Sequence, residues 1–305
     1  MICVLGIDIG GTSIKAGLFS ATGELIDNKL IKTTEIVDEA AYREVVQGLK
    51  DLLGAHKATA SDVIACGMTV PGPVDSAGKV GILANITLDA EGLKGALRLA
   101  FPGATLAFIN DANAAALGEL WQGAAKNVSN CVVVTLGTGV GGGVVVNGQI
   151  AAGAFGAAGE IGHLTMNYDE SQSCGCGRKG CLEQYASATG IVRLYRQACK
   201  RTGRKPVRLA HATDARAVFD ALAGGDPCAA EAIDQMSEYL GRALALISCV
   251  VDPEIVLIGG GVAGGFSAYA DKLKESFQKH CFAGCAAMRI DVAALGNEAG
   301  MYGAA

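Results

Sequence analysis

The 305 residues are half apolar and 18% charged, with 25 basic and 30 acidic side chains and a net charge of −5. The apolar share excludes a disordered chain, and the lack of any basic arm or like-charge block argues against nucleic acid or an anionic membrane as partner. At roughly 150 residues per domain the length suits about two domains.

The start, Met1-Ile2-Cys3-Val4-Leu5, has no basic flank and is soon interrupted by Asp8, unlike a secretory signal. Eleven cysteines without such a signal point to a reducing cytoplasm rather than a disulfide framework. The uncharged stretch Cys131–Gly159 is long enough to span a membrane, but its many glycines, with Thr, Asn and Gln, read better as a hairpin.

Along the chain, Ile2–Ile9 is a β-rich run ending in Gly10-Gly11-Thr12. Ser13–Ser20 and Glu24–Lys32 follow across tight turns, the pattern of an antiparallel meander. Asp38–His56 has helical spacing of apolar residues, and Asp62–Val70 is a strand closed by Pro71-Gly72-Pro73. Glu91–Phe101 reads as helix, Ala104–Asn110 as a buried strand and Asp111–Gln122 as an alanine-rich helix. The opening pattern then returns: Cys131–Leu136 ends in Gly137-Thr138-Gly139, Val140–Val146 follows, and Asn147-Gly148 is a strong hairpin signal. Laying Asp8–Thr12 over Thr135–Gly139 puts both glycine turns at a first hairpin, which reads as duplication of a whole α/β unit. Helices are expected at Ser187–Arg201, Asp214–Ala223 and Ala229–Val251, then a buried strand Ile255–Ile258 feeding Gly259-Gly260-Gly261. A helix at Ser267–His280, a strand at Arg289–Leu295 and a short helix at Glu298–Ala305 close the chain. Two such halves imply a cleft, where ligands usually sit.

Three glycine clusters follow strands, and exposed N–H groups in such turns make concave anion sites; two of them recur at one place of the duplicated unit, which favours a phosphate cradle over mere tight turns. Gly137, Gly139 and Gly142 also match the dinucleotide fingerprint, but that motif needs a helix next and a hairpin follows here. Asn110-Asp111-Ala112-Asn113 lies where a strand meets a helix, so one of the pair is an N-cap candidate and Asp111 a candidate proton acceptor for a hydroxyl nucleophile. Glu160-Ile161-Gly162-His163 precedes Cys174-Gly175-Cys176 and Cys181-Leu182-Glu183. Three glycine-spaced cysteines and one histidine form a closed thiolate–imidazole set, which selects structural Zn2+; Cys-x-Cys is not the redox spacing. Glu160 and Glu183 flank this set, and Asn85 and Gly72 are weaker polar candidates. The other eight cysteines read as small core residues.

In order, Asp8-x-Gly10-Gly11-Thr12, Asn110-Asp111-x-Asn113, Gly137-Thr138-Gly139-x-Gly141-Gly142-Gly143, Glu160-x-Gly162-His163 and the Cys-x-Cys-Gly-x-x-Gly-Cys-x-Glu box resemble the ROK sugar kinases of the actin and hexokinase superfamily. The resemblance covers the whole chain. It implies a duplicated actin/hexokinase-like (ribonuclease H-like) two-domain α/β kinase with an interdomain cleft. The first domain would take residues 1–115, closed by helix 297–305, and the second 116–296. It further implies ATP-dependent phosphorylation of a hexose 6-hydroxyl with Asp111 as base, Asp8 orienting Mg2+, and Gly10, Gly11, Thr12, Gly137, Thr138 and Gly139 on the phosphates. Gly259, Gly260 and Gly261 would border the adenosine. Gly72, Asn85, Asn110, Glu160, His163 and Glu183 match sugar-binding positions, and His163, Cys174, Cys176 and Cys181 match zinc ligands. Many members have Lys where Ser13 stands, and Lys15 is given no role. Many also have Pro-Gly-Trp where this chain has Thr87-Leu88-Asp89. Glucose is the expected sugar, from Gly180–Ile191, with fructose, N-acetylmannosamine or N-acetylglucosamine as alternatives. A homodimer feeding glycolysis is implied too.

Overall fold

The computed structural model describes residues 1–11, 13–32, 35–75, 77–83 and 86–305. Its first elements are β1 (Cys3–Ile9), β2 (Ile14–Ser20), β3 (Leu25–Ile31), β4 (Glu35–Ile36), α1 (Glu39–Ala55), β5 (Val63–Val70), β6 (Thr87–Leu88), α2 (Ala90–Ala100), β7 (Thr105–Asn110) and α3 (Asp111–Gln122). The duplicate follows as β8 (Cys131–Leu136), β9 (Val140–Val146), β10 (Gln149–Ile150), α4 (Glu183–Ala186), α5 (Ala188–Thr202), α6 (Ala215–Ala223), α7 (Pro227–Val251), β11 (Ile255–Gly259), α8 (Ala270–His280) and β12 (Arg289–Val292), and α9 (Ala299–Ala304) ends the chain.

The chain divides into two compact units. One holds Met1–Lys126, Ile150–Ala158 and Asn297–Ala305; the other holds Asn127–Gln149 and Gly159–Gly296. Each is built on a five-stranded sheet, of order β3-β2-β1-β5-β7 in the first and β10-β9-β8-β11-β12 in the second. β1 pairs antiparallel with β2 and parallel with β5; β8 does the same with β9 and β11. The duplication therefore extends from the glycine turns to strand order and direction.

In the first unit, α1 is capped by Asp38, which accepts from the Ala40 and Ala41 N–H groups, and lays Tyr42, Val45, Leu49, Leu52 and Leu53 on the sheet. Each such side chain contributes about 1.5–3 kcal/mol on leaving water. The glycines of the central strands admit the C-terminal helix: a Cβ at Gly67 would lie 1.7 Å from the Ala304 carbonyl oxygen. No side chain but hydrogen fits there, so α9 packs backbone to sheet. In the second unit Asn147 and Gly148 both take positive φ, 53° and 73°, the turn that their pairing requires.

Several expectations need correcting. The strand before Asp111 is not buried: β7 is the edge of its sheet, with Thr105 and Ala107 exposed. The helix expected from Ser267 begins at Ala270, after a 3-10 stretch over Gly261–Ala268. The single-turn helix α4 and the two-residue pair β4–β6 were not expected. Of the eight cysteines assigned to the core, Cys249 is exposed and Cys281 half-buried; the other six are buried. No helix among the described residues is long and apolar enough to cross a membrane.

Candidate active site and metal centre

In the first unit the polar residues gather at the C-terminal ends of β1, β5 and β7. Asp8 is the penultimate residue of β1, and Gly10 N–H closes the following turn on the Ser13 carbonyl at 3.0 Å. Gly10 and Gly11 are exposed; Thr12 and Asn85 lie outside the described residues. At the β7–α3 junction the two candidate roles separate. Asn110 is the N-cap, its side-chain oxygen accepting the Asn113 N–H at 3.0 Å. Its amide donates to the Gly72 carbonyl and to Asp111 Oδ1, both at 3.1 Å. Asp111 is the first helical residue, exposed, with Oδ1 also accepting the Ala112 N–H at 2.8 Å. A carboxylate at a helix N-terminus interacts favourably with the unpaired N–H groups of the first turn.

In the second unit the glycine turn 137–139 is fastened to the helices that follow it. The Ala188 N–H donates to the Gly137 carbonyl at 2.8 Å, and the Thr189 hydroxyl donates to the Thr138 carbonyl at 2.9 Å. Glu183, opening α4, accepts the Val140 N–H on Oε2 at 3.0 Å. Its Oε1 lies 3.6 Å from Cys174 Sγ, so one side chain joins the glycine turn to the cysteine loop. Gly260, at the end of β11, has φ 79°, and a Cβ there would lie 2.5 Å from the Leu136 carbonyl oxygen. Glu160 is exposed, and its carboxylate makes no hydrogen bond among the described residues.

His163, Cys174, Cys176 and Cys181 bring one donor atom each within 4.8 Å of one another. The Cys176 and Cys181 sulfurs are 3.7 Å apart, and Cys174 Sγ is 3.9 Å from His163 Nδ1. Sulfurs on a tetrahedral ion with bonds of ~2.3 Å stand about 3.8 Å apart, so the set fits zinc in donor chemistry and spacing. The loop is held by a narrow turn, Cys174 N–H on the Arg178 carbonyl at 2.7 Å. Burial pushes the Cys174 thiol up to about 12. Cys176 feels burial too, but the Arg178 backbone N–H and the neighbouring thiols outweigh it and hold that thiol below its usual value. Cys176 is thus the readiest thiolate of the set.

A second network, which no motif announced, fastens the arm leading into this loop. Glu170 accepts from the Tyr185 hydroxyl at 2.7 Å and from Arg193 at 2.9 Å, and Arg193 also donates to the Gln184 carbonyl. Tyr185 stacks on Tyr239, with ring centroids 4.0 Å apart. Burial opposes the Glu170 charge, but the Gln172 N–H, Tyr185 and Arg193 overcome it and hold the carboxyl near 2. Glu170 and Arg193 are 23 residues apart, which is why neither helical nor strand spacing reveals the pair.

Paired hairpin-led sheets with glycine turns at the strand ends define an α/β fold of the actin and hexokinase type. The model of the ROK family matches residues 4–305, and the chain belongs to that family. It is 36% identical to a glucokinase of Halalkalibacterium halodurans, over 98% of this chain and 92% of the relative. Among solved structures, a ROK hexokinase from Thermus thermophilus superposes with a TM-score of 0.84 at 32% identity, covering 100% of this chain and 97% of that one. A ROK glucokinase from Streptomyces griseus, solved with glucose and AMPPNP, gives 0.80 at 31%, covering 99% and 98%.

Proposed function

We propose that the chain is an ATP-dependent sugar kinase that transfers the γ-phosphoryl group to the 6-hydroxyl of glucose. The observation that carries this reading is the division of roles at the start of α3. Asn110 caps the helix and ties it to Gly72, while Asp111 stands exposed on the first turn as a proton acceptor. The glucokinase relative supports glucose as the sugar, and the structure with AMPPNP supports ATP as the donor.

The Asp111 carboxylate takes the proton of the hydroxyl as its oxygen attacks phosphorus. The new O–P bond forms, the bond from the γ-phosphorus to the bridging oxygen breaks, and ADP leaves with that electron pair. Positioning and charge neutralisation supply most of the catalysis. In this reading Gly72, Asn85, Asn110, Glu160, His163 and Glu183 bind the sugar. Gly10, Gly11, Thr12, Gly137, Thr138 and Gly139 hold the phosphates, and Gly259, Gly260 and Gly261 border the adenosine. Asp8, a partly exposed hard oxygen donor, suits Mg2+, which takes one or two carboxylates beside substrate phosphates. Bound there, Mg2+ would neutralise phosphate charge. His163, Cys174, Cys176 and Cys181 would hold Zn2+ in a closed, structural set that stiffens the loop before Glu183.

A coupled assay of ADP release across hexoses and amino sugars tests the reading. Glucose should be turned over fastest, with glucose 6-phosphate as product. ADP release no faster with any sugar than without would overturn it, and preference for an amino sugar would reassign the substrate. The proposal includes a homodimer in the cytoplasm that feeds glycolysis; eleven free thiols support the reducing compartment.

A further inference from the structure

The row of the sheet that carries Asp8 also holds a residue outside every motif. Asp8 lies opposite Lys15 in the pairing of β1 with β2 and opposite Thr69 in the pairing with β5. Lys15, Asp8 and Thr69 therefore stand abreast on three adjacent strands and project from one face. Thr69 is fully buried, and its hydroxyl donates to Asp8 Oδ1 at 2.6 Å. The other oxygen, Oδ2, is 3.5 Å from the Lys15 ammonium, which also donates to the Asn297 carbonyl at 3.0 Å. One carboxylate oxygen is thus pinned by a buried neutral donor, and the other meets a partly exposed cation. The duplicated sheet supplies an internal control. Its matching row is Gly141, Thr135 and Gly259, without acid or cation, so the fold itself does not require this set.

We propose that Thr69 is a positioning residue for phosphoryl transfer, its hydrogen bond turning Asp8 so that Oδ2 is presented to the magnesium–nucleotide. The proposal rests on the reading that Asp8 orients Mg2+. A hydroxyl has one proton to donate, and here it is committed to Oδ1 in a short, charge-assisted bond. Without that bond the carboxylate is able to rotate about Cβ–Cγ and fold both oxygens toward Lys15. Groups that orient a metal-binding carboxylate typically change metal affinity or activity about 10–100-fold when removed.

Thr69→Val keeps the branched shape and deletes the hydroxyl; Thr69→Ala deletes it without adding a methyl group, should the Val variant fail to fold; Thr69→Ser restores it. Calorimetric titration of ADP with and without Mg2+ reads the affinity that the cation adds. In Thr69→Val that increment should fall about 10-fold and kcat about 10–100-fold. ADP affinity without Mg2+ and the KM for glucose should stay within about twofold, and Thr69→Ser should recover most of the loss. A variant that melts earlier but keeps both the Mg2+ increment and kcat would show Thr69 to be structural only and overturn the proposal. Asp8→Asn in the same titration separates the two levels. An unchanged increment there removes the role of Asp8 itself, whereas a lost increment there with an intact one in Thr69→Val sinks only the role of Thr69.

Discussion

Replacing Glu170 by Gln should destabilise the unit that carries the cysteine loop by up to about 3 kcal/mol at neutral pH. The carboxyl is held near 2 against 4.5 for an ordinary glutamate, and each pH unit of such a difference is worth ~1.4 kcal/mol. Its side chain is only 10% exposed, so solvent screens little of this. The sign follows from the depressed value in the folded state. The stabilisation is complete above about pH 4.5 and drains away as pH falls toward 2. At ~2–4 °C per kcal/mol for a unit of this size, the Gln variant should melt up to about 6–12 °C lower at pH 7. The gap should already be narrower at pH 4. Because Tyr185 and Gln184 of α4 belong to the same network, the KM for sugar should rise too, through Glu183. Scanning calorimetry from pH 7 to pH 4 checks the first expectation. A gap under 1 °C at pH 7, or one that does not narrow with acid, would refute the electrostatic account.

Asp111→Asn should lower turnover by ~10²–10⁴, the range for loss of a general base, and leave the melting temperature nearly unchanged because Asn110 supplies the cap; steady-state kinetics with glucose decide it. Cys176→Ser should reduce zinc from about one ion per chain and raise the KM for sugar, as read by elemental analysis and kinetics on the same preparation. Gly260→Ala should weaken ATP binding and stability together, since its φ of 79° and the nearby Leu136 carbonyl leave no room for a methyl group; ATP titration checks this.

Much of the site was legible because its residues sit beside features with local signatures. Gly10 and Gly137 end β-branched runs, and the cysteine spacing confines three ligands to eight residues, so no tertiary knowledge was needed to group them. Strand order is different. Ala104–Asn110 reads as buried from its apolar content, yet β7 pairs on one side only, and nothing in a single strand states how many neighbours it will have. The four residues of α4 are too few to show a helical period. Asn110 and Asp111 are equally good caps by type, and the choice falls to Asn110 through its bond to Gly72, a residue 38 positions away. Thr69 was invisible for the same reason: its meaning comes from lying opposite Asp8 in a parallel pairing, not from its neighbours in sequence.

The duplication also sets two different groups of side chains on one framework. Both sheets end a first hairpin in a glycine turn, and both place a parallel strand beside it, so backbone geometry is shared. Side chains at the matched row are not: charge and a buried hydroxyl in the first unit, glycines around Thr135 in the second. A row of glycines leaves that face of the sheet open, whereas a pinned carboxylate suits a cation. The second unit gains its polar groups from elsewhere, through the segment from Gly159 to Leu182 that runs between β10 and α4 and carries the candidate ligands His163, Cys174, Cys176 and Cys181. Glu183 then ties that segment back to the glycine turn through the Val140 N–H. The cysteine loop is thereby bonded to the glycine turn, and a disturbance of that loop has a direct route to the backbone of the turn.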